Sequence, residues 1–131
     1  MYIFYLQVCP KYWGVHHYSC YVLISHQVKQ TTGRAFCRKI GAHLALLSSA
    51  EEMRGVSLWM FPVTMAWIDG TDAANEGVWL AETGEEMLYT GFEAPEPDGG
   101  LKENCMAIHS GTAVDVPCNG DPELEYTLCE K

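Results

Sequence analysis

Phe61-Pro62-Val63-Thr64-Met65-Ala66-Trp67-Ile68-Asp69-Gly70 is where the character of the chain changes. Upstream of Pro62, apolar residues return every three or four positions. At Pro62 that period stops, because proline offers no N–H to a helical ladder and clashes with the preceding turn. Ala66–Gly70 reads as a strand, β-branched and aromatic in its centre. Just upstream, Ser48-Ser49-Ala50-Glu51-Glu52 supplies two overlapping capping boxes, Ser48 with Glu51 and Ser49 with Glu52. They open a helix in which Met53, Val56 and Met60 share a core-facing stripe. Further back, His43–Leu47 is a short apolar run expected to be buried and extended. A first helix is expected from about Ser25 or Gln27 to Ile40, with Val28, Thr32, Ala35, Phe36 and Ile40 at helical spacing. Gly33 weakens that helix and Gly41 stands at its C-terminal cap. Tyr18–Ile24 reads as a strand before it, and Met1–Val8 as either a first strand or the remnant of a signal peptide.

Downstream of Gly70 only strands and loops are expected. Val78-Trp79-Leu80 reads as a strand, with Asp72–Gly77 as the turn before it. Residues 81–103 are rich in Gly, Pro and Glu, a long irregular stretch of the kind that carries function in a compact domain. Cys105–His109, Thr112–Val116 and Tyr126–Cys129 read as closing strands. Helices confined to the first half and strands to the second describe an α+β domain with an antiparallel sheet. A chain of 131 residues with 48% hydrophobic and 19% charged residues is a single domain over 1–131. Its net charge of −9 argues against nucleic acid, which needs a basic stripe. No apolar run approaches the roughly 20 residues of a membrane span.

The six cysteines, Cys9, Cys20, Cys37, Cys105, Cys118 and Cys129, contain no CxxC pair, and the five histidines form no ligand cluster. The reading is a disulfide framework and an oxidising, extracellular compartment, with fifteen pairings open.

Taken together, these segments resemble the C-type lectin-like domain over essentially the whole chain. Cys9-Pro10-Lys11-Tyr12-Trp13 with Cys20-Tyr21 is similar to the N-terminal hairpin of the family's long form. Trp67-Ile68-Asp69-Gly70 stands where the family has its core strand. Glu96-Pro97-Asp98 is similar to the three-residue sugar-site motif, and Glu103-Asn104-Cys105 to the acidic-polar-Cys unit after it. Ala113-Val114-Asp115 falls at the family's Trp-Asn-Asp position, and Leu128–Lys131 matches its terminal strand. The resemblance implies two helices packed on short antiparallel sheets, with a long irregular ligand loop. It also implies the pairings Cys9–Cys20, Cys37–Cys129 and Cys105–Cys118. On the chain-entropy account the long-range Cys37–Cys129 bond contributes about 4 to 5 kcal/mol.

By the same resemblance the loop binds calcium, and calcium binds sugar hydroxyls. Glu96, Asp98, Glu103 and Asp115 place four carboxylates at the ligand positions, which suits a hard cation wanting six to eight oxygens. Pro97 is expected to follow a cis peptide bond. Two residues depart from the pattern: Val114 replaces an amide ligand with an alkyl group, and Asp98 makes the motif neither the mannose nor the galactose type. Ionised carboxylates only accept hydrogen bonds, so nothing at these positions donates to a sugar. Metal binding and sugar binding are therefore separate expectations. Asp72, Glu76 and Asn104 partially match an auxiliary calcium site, whose further acidic position holds Gly99. Trp67 and Trp79 are expected in the core, Phe92 under the loop, and Tyr89 and His109 are possible stacking surfaces.

Paired carboxylates are the one catalytic-looking feature, but a Gly/Pro-rich loop gives neither of them the apolar pocket that raises a general acid's pKa. A binding protein is expected, not an enzyme. The leading expectation is a secreted, calcium-dependent, carbohydrate-binding lectin, a glycan-recognition module in innate immunity, with the sugar type and possible homo-oligomer open. The alternative is a lectin-like domain binding a protein partner or a mineral or ice surface.

Overall fold

The computed structural model describes residues 8–16, 18–118 and 123–131. Its elements in chain order are β1 (Gly14–His16), β2 (Ser19–Val28), α1 (Gln30–Lys39), β3 (His43–Leu44), α2 (Ala50–Met60), β4 (Met65–Thr71), a 3-10 turn (Gly100–Lys102), β5 (Cys105–His109), β6 (Thr112–Val116) and β7 (Leu124–Glu130). The α+β expectation holds. The strands form one sheet in the order β1-β2-β7-β4-β5-β6, with β3 also pairing β7. All neighbours run antiparallel except β4 and β7, which meet in parallel at Trp67 and Thr127. The sheet is thus single and mixed rather than a set of antiparallel ones. Of the expected Met1–Val8 strand, Met1–Gln7 lie outside the described residues.

The first helix starts later than its period suggests. Ser25 and Val28 pair with Tyr126 and Leu124 across an irregularity in the β2–β7 ladder, so these residues extend the strand. The face it buries is also different: Gln30, Gly33 and Cys37 are buried, whereas Thr32, Ala35 and Ile40 are exposed. Gln30 explains the choice. Its side-chain Nε2 donates to the carbonyls of Ile68 (2.9 Å) and Gly70 (3.0 Å) and so pins α1 to β4. Gly33 sits where a Cβ would come within 2.5 Å of the Oγ1 of buried Thr127. The helix closes as expected at Gly41 (φ +76°), whose N–H donates to Arg38 while that of Ala42 donates to Cys37. These are the paired bonds of a Schellman cap.

In α2, the N–H of Glu52 donates to Ser49 Oγ (3.1 Å), and Glu52 Oε2 accepts from the N–H of Ser48 (3.1 Å), one residue beyond the expected box. Met53, Val56 and Met60 are buried as expected, against Leu47, Ile68, Met106, Ile108 and Leu128. Two glycines seat the β1–β2 hairpin on this helix. The Trp59 indole fills the space a Cβ would need at Gly14, and the His16 ring does the same at Gly55. Val78–Leu80 is not a strand: Leu80 makes isolated bridges to Thr71 and Glu86. Trp79 is nonetheless core, tilted against Phe92 with ring centroids 5.0 Å apart.

All three disulfides are those the resemblance implies: Cys9–Cys20, Cys37–Cys129 and Cys105–Cys118. The loop after β4 is anchored by charge. Buried Asp69 accepts the N–H of Glu82 with both carboxylate oxygens (3.0 and 2.9 Å). Arg34 lies 3.7 Å from Asp69 and 3.6 Å from Glu82, and Arg38 also pairs with Glu82. Burial raises the Asp69 carboxyl above its usual range, despite the Glu82 N–H and the Arg34 charge pulling the other way.

Candidate functional site

The acidic site is assembled by β6 and the loop that passes over it. Asp115 faces Met106 in the β5–β6 ladder and is buried, with 5% of its surface exposed. It reaches across to the loop: its carboxylate accepts the N–H groups of Asp98 (3.0 Å) and Gly99 (2.9 Å), and its own N–H donates to Glu96 Oε2 at 3.5 Å. These bonds fold Glu96–Gly99 onto the sheet edge. The peptide bonds before Pro95 and Pro97 are both cis, the second as expected. Carboxylate oxygens of Glu96, Asp98 and Asp115 consequently lie within 4.8 Å of one another.

Glu103 is the fourth expected carboxylate and stands just outside this trio. Its side chain lies where a Cβ on Gly99 would be. Partial burial raises its pKa, helped by the charges of Asp115 and Asp98. Glu96 is pushed up to about 7, first by its side-chain hydrogen bond with Asp115, then by partial burial, with the Asp115 N–H opposing. Burial would raise Asp115 as well, but the hydrogen bonds from Glu96 and from the Gly99 and Asp98 N–H groups outweigh it and hold the carboxyl below its ordinary value. The pair thus favours a proton on Glu96 and a charge on Asp115, and a cation would take that proton's place.

A second group of oxygens adjoins the first. Asp72 is buried, its N–H donates to the Asn104 carbonyl (3.1 Å), and its Oδ2 accepts from Gly77 (2.9 Å). Asp72 Oδ1 and Asn104 Oδ1 are both buried with no hydrogen-bond partner among the described residues. Glu76 is raised by its side-chain hydrogen bond with Asp72 and by the charges of Asp72 and Asp115. Orphaned acceptors beside carboxylates are the chemistry a hard cation satisfies, so both donor sets fit calcium. Asn104 Nδ2 gives one of its two N–H donors to the Leu101 carbonyl (3.0 Å).

Val114 is half-buried, its position occupied by an alkyl group as the sequence reads. Tyr89 packs against the core and His109 lies at the turn end of β5, so neither is brought to the trio. Sequence reading passed over a shallow depression beside Asp98 and Glu103 that Leu101, Lys102 and Pro117 complete. The signal was present: Lys102 is the only Lys or Arg between Arg54 and Lys131.

The model of the lectin C-type domain matches residues 26–131. The chain is 30% identical over 130 residues to a type-2 ice-structuring protein of Osmerus mordax, covering 96% of this chain and 73% of that one. It is 29% identical to C-type lectin domain family 4 member M of Hylobates lar, covering 94% of this chain but 31% of that longer protein. The fold superposes on the carbohydrate-recognition domain of a mouse scavenger receptor C-type lectin with a TM-score of 0.83 and 26% identity, over 95% of this chain and 98% of that one. With the motif order, the three disulfides and the architecture in agreement, the chain belongs to the C-type lectin domain family.

Proposed function

We propose that this protein is a secreted, calcium-dependent binding module whose ligand is a glycan. The observation that carries the reading is the gathering of Glu96, Asp98 and Asp115 oxygens within 4.8 Å on a sheet edge. Together with Glu103 they would hold one calcium ion. The ion would offset half the charge of four carboxylates and leave coordination positions open to sugar hydroxyls. Asp115 is the organising residue, since it fixes the backbone of Asp98 and Gly99 and would itself be a ligand. Asp72, Glu76 and Asn104 would hold a second ion, which would cover the two orphaned oxygens. Three disulfides suit an oxidising compartment. Membership of the lectin C-type domain family supports a binding role over a catalytic one.

One observation favours a second reading, an ice or mineral surface in place of a sugar. The trio is made of carboxylates and Val114 adds only an alkyl group, so at these positions a bound diol would have its hydroxyl protons served and its lone pairs left to the metal. An ice-structuring protein is among the relatives of this chain.

A calorimetric calcium titration of the protein and of Asp115→Ala, followed by glycan-array binding with and without EDTA, separates the readings. Calcium heat lost in the variant with array signals lost in chelator supports the lectin. Calcium heat with no array signal directs attention to a surface ligand, and no calcium heat in the parent protein removes the metal site.

A further inference from the structure

Apart from Lys102, most cations of this acidic protein are gathered away from the loop. Residues 1–54 carry six of the eight Lys and Arg and two of the seventeen Asp and Glu. Arg34 and Arg38 are engaged by Asp69 and Glu82. Lys11, Lys39 and Lys131 make no ion pair among the described residues, and they lie where the first hairpin, the end of α1 and the end of β7 come together. Lys131 is held there by two backbone bonds with Cys20 (2.9 and 3.1 Å). Its Nζ stands 5.9 Å from the centre of the Trp13 ring and beside Gly41, two residues past Lys39.

The turn next to it is strained in a way that packing does not explain. Trp13 N–H donates to Pro10 C=O at 3.0 Å, closing a four-residue turn. Its third residue, Tyr12, has φ +74°, a conformation that glycine or asparagine takes without cost and a bulky side chain resists. Tyr12 is 87% exposed, and Lys11 Nζ lies 5.2 Å from the centre of its ring. A single cation on an aromatic face is ordinary at a protein surface. Two side by side, one on a strained and solvent-facing tyrosine, is the kind of outlier that points to a ligand.

We propose that Lys11, Tyr12, Trp13, Lys39 and Lys131 form a second, calcium-independent site for an anionic glycan bearing sulfate or uronate groups. The aromatic faces would receive the apolar face of a sugar ring, as they do other flat ligands, and the ammonium groups would meet its anions. Three lysines on a protein of net charge −9 are too few for a nucleic-acid track or for the larger basic cluster that holds an anionic membrane. The hairpin forms one edge of the sheet and β6, with Asp115, the other, so the patch and the acidic loop can be occupied independently.

The test is a fluorescence titration with a heparin-derived octasaccharide in EDTA, where the acidic loop holds no ion. Saturable binding is expected, weakening about tenfold as ionic strength rises from about 0.05 to about 0.2 M. The double variant Lys11→Glu/Lys131→Glu should lose at least about tenfold in affinity. Tyr12→Gly should bind several-fold more weakly while melting no lower than the parent, because glycine relaxes the turn. That combination separates a binding role from a structural one. The proposal is overturned if no saturable binding occurs, if binding survives the double variant, or if it requires calcium and is lost in Asp115→Ala. Binding to anionic phospholipid vesicles without binding to the octasaccharide also overturns it.

Discussion

Lowering the pH from about 8 to about 6 should weaken calcium binding roughly tenfold, through one identifiable proton. In the ion-free protein Glu96 titrates near about 7, well above the ordinary 4.5, because it shares a hydrogen bond with Asp115 that only a proton can supply. Calcium needs both carboxylates ionised, so binding expels that proton. The apparent dissociation constant then rises by a factor of about 2 at pH 7 and about 11 at pH 6 relative to the fully ionised site. The sign for the fold is the reverse. A raised carboxyl contributes stability fully present below its unfolded value of 4.5 and lost as pH rises through about 7, so the ion-free protein gives up this contribution just where calcium binds best. Asp115, held below its usual value, opposes it at the acid end: its contribution is present above the unfolded value of 3.8 and lost as pH falls through its lower folded value. Calorimetry near pH 6.5 in two buffers of different ionisation enthalpy counts the protons released, and between half a proton and one per calcium is expected. Glu96→Gln should bring that count close to zero. Calcium binding without proton release, or an affinity flat from pH 8 to pH 6, would refute the shared-proton account.

Three further outcomes test how the frame is held. Gly33→Ala gains up to about 1 kcal/mol of helix propensity but drives a methyl into buried Thr127, so urea unfolding should show a net loss of about 1 to 2 kcal/mol, recovered in part by adding Thr127→Ala. Tyr21→Phe removes the buried hydroxyl that donates to Glu52 (2.5 Å) and lies 3.3 Å from Glu130, and a loss of about 1 to 3 kcal/mol is expected; an unchanged urea midpoint would mean that the two carboxylates do not need it. Burial, the Glu52 hydrogen bond and the Glu130 charge all keep that hydroxyl protonated, so the wild-type contribution should not vary with pH in the neutral range. Arg34→Met leaves Asp69 buried with its main cation gone; thermal unfolding should show a loss of about 2 to 4 kcal/mol that shrinks towards acid pH, where Asp69 takes up a proton.

Where residue chemistry acts locally, the fold was legible in the sequence. Pro62 marked the end of α2, Ser49 its beginning, Gly41 the end of α1, and Trp67–Gly70 the central strand. What escaped was decided by distant partners. Ser25–Val28 looks as helical as it does extended until β7 is there to pair with it. The buried face of α1 is made of Gln30, Gly33 and Cys37, which no apolar count selects, because a carbonyl pair, a close approach and a disulfide place them there. Trp79 reached the core without a strand to carry it. In the candidate site, the four carboxylates were legible as residue types. The sequence did not reveal that Asp115 would hold the loop backbone by two N–H groups, or that Glu103 would sit apart from the closest trio.

The two notches between hairpin and helix have a consequence for motion. Gly14 receives the Trp59 ring from α2, and Gly55 on α2 receives the His16 ring from β1. Each element carries both a gap and the group that fills the other's gap, and they point in opposite directions. A slide of one residue in either sense would drive a ring into a neighbouring side chain at both ends at once. With β2 held by β7, β1 has one seat on the helix, and its freedom reduces to lifting off whole. Amide exchange along β1 should then follow a single opening event that the Trp59 fluorescence also reports, with the Pro10–Trp13 turn released in the same step.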